Sequence, residues 1–590
     1  MAVKLYLNNQ EVITDSSQEI RITRENPYFT LSDSYTLDIT IPLSILQNRK
    51  FFGDIQRIEK KKEYQEYSCK LYCANSLLME GTARIIQSSV ESVKVQLACG
   101  VSALKMSSEQ EGTYIDSLIT EKEGGASILI SSLDYGAMVG ANHLGWGVPV
   151  LDNTNDTVIN LGTMDYAICR GFPHTSECPR LLDIASLVAA KMGYTIDMSF
   201  LPAACSNIYV ISATHGNLGK KVPHWTVKEF FKQLQNFFGC TLIRTGTGNK
   251  KLKFVPVESF AQNPVTTISP LTEYQVDYSE EDDAEGIMNR NVEFEMEESG
   301  DEIVDEEILE QAKYTSEYET LDAMTRAFQG ESDDVRMHKI YKLNGEKYVG
   351  WENEDGSYNL KRIAPFNPLI RFDDAESVKL KIAPVHMEED VECSIWYIYD
   401  ILGGQEMHSF KINVPSISNP FGLSMNWVYG GTGNTGEDDG PTMQSLVEGT
   451  ESIVDNDDKT DIMSVAFIED KSETVTTHNE KDYRQANFPI HLAFTDYNFK
   501  RQLSNNRSRW SFSLTPLTGY DFYLGQLHRL SFRCSHRVKH IFKFMSDAIP
   551  EADNVFIIRG KRFACEKIEA SIKDGNLDKL MTGYFYEIVS

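Results

Sequence analysis

Apolar and polar residues alternate with period two at both ends of the chain. Tyr35, Leu37, Ile39, Ile41 and Leu43 alternate with Thr36, Asp38, Thr40 and Pro42, which predicts a strand with one buried and one wet face. Tyr67, Cys69, Leu71 and Cys73 repeat the pattern, and so do Val93, Val95, Leu97 and Cys99. Asn8-Asn9 reads as a turn between two N-terminal strands. The first hundred residues are thus expected to form a small antiparallel sheet or barrel. At the other end, Trp510, Phe512 and Leu514 alternate with Ser and Thr. Val555–Arg559 and Arg562–Cys565 flank a turn at Gly560-Lys561, and Gly583–Ile588 supplies a last strand.

Between 176 and 260 the period changes to that of a helix. Pro179 suits a first turn, Leu181, Ile184, Ala185, Val188 and Met192 share one face, and Gly193 is a stop. Thr226-Val-Lys-Glu229 is a capping box, with Trp225 and Phe230 placed for a hydrophobic staple. Val227, Phe230, Phe231, Leu234, Phe237 and Phe238 form the apolar stripe that follows, and Gly239 ends it. That stripe is read as a helix core rather than a ligand box, because its spacing is helical. A hairpin is expected next: Cys240–Arg244, a turn over 245–249, then Lys251–Val257. Further on, Asn291–Met296 predicts a strand, Leu321–Phe328 a short helix, and Cys393–Tyr399 a buried strand. Residues 101–175 carry many glycines and are expected to be irregular.

Composition narrows the class. At roughly 100–200 residues per domain, the 590 residues imply three to five domains. The chain is 41% hydrophobic and 11% aromatic, too rich for disorder throughout. No apolar run reaches the roughly 20 residues of a membrane span. The N-terminal residues lack a signal peptide's long apolar stretch, so an extracellular disulfide framework is not expected. The ten scattered cysteines form no CxxC and are read as reduced, mostly buried thiols.

The net charge of −29 is concentrated. Residues 273–310 contribute −16 and residues 431–461 contribute −8, whereas 1–100 are neutral and 496–590 carry +5. Such an acidic chain is not expected to bind nucleic acid over its general surface.

The chemical motifs are weak. Gly431-Thr-Gly433-Asn-Thr-Gly436 matches GxGxxG, but Glu437-Asp-Asp439 follows and would repel a pyrophosphate, so a loop is expected. Asp455-Asn-Asp457-Asp458-Lys-Thr-Asp461 lacks the central Gly and terminal Glu of a calcium loop. His174 and Cys178 have no second pair for zinc. His536 and His540 lie among Arg533, Arg537 and Lys539, which disfavours a metal. No GxSxG elbow is present. The expectation is therefore no catalytic residue, no metal ligand and no cofactor.

Two segments carry a resemblance. One is Thr226-Val-Lys-Glu-Phe-Phe-Lys-Gln-Leu-Gln-Asn-Phe-Phe-Gly-Cys-Thr-Leu-Ile, followed by a Gly turn and Lys251-Leu-Lys-Phe-Val-Pro-Val. The other is Ile20-Arg-Ile-Thr-Arg-Glu-Asn-Pro-Tyr-Phe, followed by Tyr35-Thr-Leu-Asp-Ile-Thr-Ile-Pro-Leu. In this arrangement the chain resembles baseplate hub, or tail-associated, proteins of tailed bacteriophages, which share a fold with the hub part of type VI secretion spike proteins. The N-terminal segment looks like tail proteins of phages of gut Bacteroidota. The resemblance covers roughly 1–300 and 496–590, and 335–495 departs from the smaller hubs.

The resemblance implies a mainly β fold with an α+β portion. Residues 1–110 would be one tube-like β-barrel, 111–175 a loop-rich insertion, and 176–263 an α+β hub domain of two helices and a hairpin. From charge and pattern, residues 264–334 read as an acidic connecting segment and 335–495 as a β-sandwich insertion, and in the resemblance 496–590 would be a second tube-like barrel. It implies a non-enzymatic homotrimer at the tail tip of the virion, made in the host cytoplasm. The trimer would adapt a hexameric tail tube to a three-fold tip. Its partners would be further copies of itself, the tail tube or distal tail protein, the tape measure protein, and a tip or spike protein. Genomic DNA would pass through its pore, with the acidic stretches either lining the channel or facing solvent. The first rival is a receptor- or glycan-binding tail protein using 335–495, with Trp351, Trp396 and Trp427 as the aromatics to test. The second is a tail-associated cell-wall or capsule hydrolase. A bacterial surface glycan protein is disfavoured by the missing signal peptide.

Overall fold

The structure is a computed structural model. It describes the chain apart from residues 1–2, 16, 30–32, 54, 56, 58–65, 103–112, 122–144, 154–156, 161–162, 165–166, 170–175, 215–217, 246–249, 279–290, 296–301, 304–311, 344–345, 354–355, 364–376, 399–404, 418–460, 469–472, 479–482, 491, 497–508 and 590. The fold is mainly β with an α+β portion.

The two ends of the chain meet in one 15-stranded sheet. From one edge its strands run Gln10–Val12, Lys4–Leu7, Glu66–Cys73, Ser76–Ser88, Ser92–Ala98, Ser34–Thr36 and Ile20–Glu25, and then continue into the C-terminal strands Lys561–Lys573, Leu580–Val589, Arg533–Met545 and Pro270–Tyr278. The seam is antiparallel: Ile20 faces Ile572 and Glu25 faces Lys567. Leu5, Leu7, Ile22, Ile41, Leu71, Val95, Phe544, Ile568 and Phe585 share one core beneath both halves. Tight turns set the register. Asn8-Asn9, Ala74-Asn75, Arg559-Gly560 and Asp574-Gly575 each pair two positive φ values, the conformation that matches strand twist in two-residue hairpins.

Three local expectations shift. The period-two run beginning at Tyr35 changes phase: Thr36 is buried while Leu37 is 48% exposed, and burial resumes at Ile39 and Ile41. The cause is a break between Ser34–Thr36 and Ile39–Pro42, across which Thr36 Oγ1 accepts from Leu97 N at 3.0 Å. The C-terminal turn is Arg559-Gly560 rather than Gly560-Lys561, because Ile558 pairs with Lys561. Around Trp510, Ser511 and Ser513 are as buried as Phe512 and Leu514. This segment packs inside the central core and has no wet face.

That central core is built around the helices Leu181–Lys191 and Val227–Phe238. Pro179 precedes the first helix, pairing with Gly145 in a short strand instead of opening the helix. Thr226 caps the second helix, accepting from Glu229 N at 3.1 Å. The capping box is one-sided, since Glu229 accepts from Gln233 Nε2 at 2.8 Å. Gly239 stops the helix at φ 55°, where an added Cβ would lie 2.5 Å from Leu527 O. The apolar stripe is fully buried, and so is part of the polar side. Gln235 Nε2 donates to Thr241 Oγ1 at 3.1 Å, and Gln233 Oε1 accepts from Lys381 N at 3.2 Å. The hairpin Cys240–Arg244 with Lys251–Pro256 follows as expected.

Beside this core, the long hairpin His386–Ile398 with Gln405–Ile417 joins the short strands Val150–Asp152 and Ala167–Cys169. A separate small unit pairs Tyr314–Tyr318 with Lys339–Leu343 in parallel across the helices Leu321–Gly330 and Asp333–Met337. Its sheet continues through Glu346–Glu352 and Tyr358–Ile363. No helix of the described residues is long and apolar enough to cross a membrane.

Candidate functional site: the three-way junction

The segment Asn26–Phe29 leaves the seam strand and inserts where the N-terminal half, the C-terminal half and the central core converge. An Asn-Pro pair favours a turn, and here the turn is buried. Asn26 is fully buried. Its Nδ2 donates to Cys565 O at 2.7 Å and its Oδ1 accepts from Tyr28 N at 3.0 Å. Its backbone N–H donates to Glu566 O at 2.8 Å. Pro27 O accepts from Thr241 Oγ1, the same hydroxyl that receives Gln235 of the central helix. Tyr28 and Phe29 fill a pocket among Val257, Phe260, Phe532 and Tyr586. Phe29 stacks on Tyr586 at 5.5 Å, and Tyr28 meets Phe260 edge-on at 5.2 Å. The two segments that carried the sequence resemblance are thus joined in space by a buried clasp.

Charges gather on the same junction. Arg24 Nη1 donates to Ile549 O at 2.7 Å and to Glu551 Oε1 at 2.8 Å. Asp33 is half-buried, and burial pushes its carboxyl up from the ordinary range despite the Arg244 guanidinium nearby. Burial also raises Asp553, helped by repulsion from Glu551 and Asp33. Three carboxylates and two guanidiniums are therefore held where all three parts of the fold touch.

Over the seam, the open face of the sheet carries a Tyr–Glu–Lys mesh. Tyr35 donates to Glu25 at 2.9 Å, and burial together with that carboxylate pushes the phenol up to about 12. Lys567 pairs with Glu569 at 3.2 Å and lies 4.4 Å from the centre of the Tyr584 ring. Lys539 pairs with Glu566 at 3.0 Å. Among the described residues of this face, cations alternate with anions.

No protein-family model matches the sequence, and no curated protein matches it. Among solved structures, the chain is similar to the 43 kDa tail protein of prophage MuSo2 from Shewanella oneidensis, at 7% identity and a TM-score of 0.29, covering 99% of this chain and 97% of that one. It is also similar to the tail protein from Neisseria meningitidis MC58, at 7% identity and a TM-score of 0.30, covering 99% and 96%. Likeness at this level fixes neither fold nor role.

Among the described residues, the motifs singled out in the sequence do not converge. Residues 431–436 and 455–460 lie outside the described residues, as do His174 and Trp427. The side chains of Trp396 and His536 are outside them too. Asp461 is occupied in the tertiary structure: it accepts from Trp225 Nε1 at 2.6 Å and pairs with Lys381. Trp351 is half-buried beside Val349 and Ile363, with Lys361 Nζ 4.8 Å from its ring centre. Burial lowers His540. Among the described residues nine cysteines are buried, with Cys99, Cys393 and Cys534 pushed up to about 12 by burial. Among the described residues, no three His, Cys, Asp or Glu side chains converge as a metal site requires.

One pair with the look of catalysis was not legible in the sequence. Lys221 Nζ donates to Ser176 Oγ at 2.6 Å. Both residues are buried. The Ser176 hydroxyl points at Ser212 O and Thr214 O, 2.7 and 2.8 Å away. Asn160 completes the knot by donating to Val148 O and Ser176 O at 2.6 and 2.8 Å. A nucleophile needs an exposed oxygen and a neutral base. Here the oxygen is enclosed and the amine is spent on holding loops together.

Proposed function

We propose that the chain is a structural phage tail hub that acts without catalysis. The observation that carries this reading is the seam. One chain presents two β halves side by side in a single sheet, each built on long antiparallel hairpins closed by two-residue turns. Three copies arranged head-to-tail would therefore present six β halves around one axis, which is how a three-fold tip can meet a six-fold tube. Heterologous contacts of this kind close into rings when the rotation permits. The buried clasp at Asn26–Phe29 would keep the two halves from rotating independently under the load of ejection.

The same reading makes the ring a conduit for genomic DNA. Affinity for DNA comes mainly from phosphate neutralisation by free cations. On the open face Lys567, Lys539 and Lys70 are each paired with a glutamate, whereas Lys4 has no ion-pair partner among the described residues. DNA passing such a wall would find little to hold it. The tail tube, the tape measure protein and a tip or spike protein would be the neighbours, and the tail tip of the virion the location.

Sedimentation of the full chain tests the assembly. A species of three times the chain mass that persists on dilution is expected, because obligate interfaces are large. A stable monomer, even with tube protein added, would overturn the reading.

A further inference from the structure

On the open face of the N-terminal half, away from the junction, the paired strands Lys4–Leu7 and Glu66–Cys73 carry a shallow groove of about 430 Å³ across their outer face. Six side chains line it: Lys4, Tyr6, Asn9, Lys70, Tyr72 and Asn75. The pairing of Lys4 with Tyr72 and of Tyr6 with Lys70 makes a checkerboard of two cations and two phenols. The rings meet edge-on at 5.8 Å. Asn9 and Asn75 stand at opposite ends, each the second residue of a tight turn at positive φ (64° and 67°). The groove is thus held by backbone geometry at both ends and by the sheet beneath, where Leu5, Leu7, Cys69 and Leu71 are buried.

What the groove offers is specific. Lys70 is already paired with Glu80 at 3.3 Å. Among the described residues, the Lys4 ammonium, the Asn9 and Asn75 amides and the two phenol hydroxyls have no partner. The groove therefore presents one free positive charge, two amides that both donate and accept, two hydroxyls and the flanks of two aromatic rings. The volume lies within the range of small-ligand sites.

We propose that this groove binds a single acidic sugar unit, a hydroxyl-rich ring bearing one carboxylate. Lys4 takes the carboxylate, the amides and phenols take ring hydroxyls, and the apolar face of the sugar lies against Tyr6 or Tyr72. An acidic peptide fits less well. It brings several carboxylates to a groove with one free cation, and Glu80 repels the surplus. This inference does not depend on the ring-forming role proposed above, since the groove lies within one chain.

The test uses the full chain with glucuronic acid as probe and glucose as the neutral control, followed by ligand-observed NMR. Saturable binding of glucuronic acid in the millimolar range is expected, with glucose at least tenfold weaker. Lys4→Ala should remove the preference for the acid. Tyr6→Ala with Tyr72→Ala should abolish binding of both sugars, while circular dichroism and the melting temperature confirm that the sheet is intact. Asn9→Asp is a milder variant that keeps the turn and should weaken the acid selectively. No saturable binding, binding untouched by these substitutions, or displacement of the sugar by a short oligoglutamate at lower concentration would each overturn the proposal, the last by making the groove a peptide site.

Discussion

Asn26→Ala tests whether the seam is locked by the clasp. The substitution removes two buried side-chain hydrogen bonds, to Cys565 O at 2.7 Å and from Tyr28 N at 3.0 Å. It leaves both backbone groups without their partner in a site closed to water. Each stranded group costs about 1–3 kcal/mol, so the pair costs about 2–6 kcal/mol if neither recovers a full partner. In a chain of several cores, global unfolding need not be two-state, so the loss is better read locally. Hydrogen exchange followed by mass spectrometry isolates the peptides covering Ile20–Glu25 and Lys561–Lys573. A loss of about 2 kcal/mol in local opening speeds exchange there about 30-fold. The helix Val227–Phe238 should change far less, since its capping and stripe do not involve Asn26. Unchanged exchange at the seam, or equal acceleration everywhere, would refute the idea that Asn26 holds the two halves together.

Other outcomes follow from the same geometry. Gly239→Ala places a Cβ 2.5 Å from Leu527 O at φ 55°, so it should destabilise the central core by about 1–3 kcal/mol, visible as a lower urea midpoint by tryptophan fluorescence. Asp33 has its folded pKa raised above the unfolded 3.8. The fold therefore favours its protonated form, and its destabilising effect grows as pH rises from 3.8 through the raised folded value. Asp33→Asn should then raise the melting temperature at pH 7 and leave it nearly unchanged at pH 3, where both states are protonated; equal effects at the two pH values would contradict this. The nine buried thiols should resist a thiol reagent in native buffer and react once denaturant is added, and fast native labelling of Cys99 or Cys565 would show that the sheet core is open.

Much of the fold was legible because local rules and tertiary packing agreed. The stripe from Val227 to Phe238, its Thr226 cap and its Gly239 stop are all consecutive in sequence, and all three form. Asn8-Asn9 carries its turn type in its own backbone preference. The misreadings arose where packing overrides period. Leu37 belongs to an apolar alternation, yet the strand breaks beside it and Thr36 takes the buried place through a hydrogen bond to Leu97. Ser511 and Ser513 look like a wet face, yet both are buried. The functional features were hidden for a related reason. The clasp joins residues 26 and 565, and the Lys221–Ser176 knot joins positions 45 residues apart. The groove needs Lys4 and Tyr72 on neighbouring strands. No spacing rule connects such residues before the sheet is assembled.

The central claim is that one chain contributes two β halves to a six-part ring. Cryo-electron microscopy of the full chain assembled with its tail tube tests it most directly. The account predicts three copies around one axis, with the seam between Ile20–Glu25 and Lys567–Ile572 intact in each copy and six β halves surrounding an open channel. A single copy, a ring with six copies, or a ring whose halves separate at that seam would contradict it.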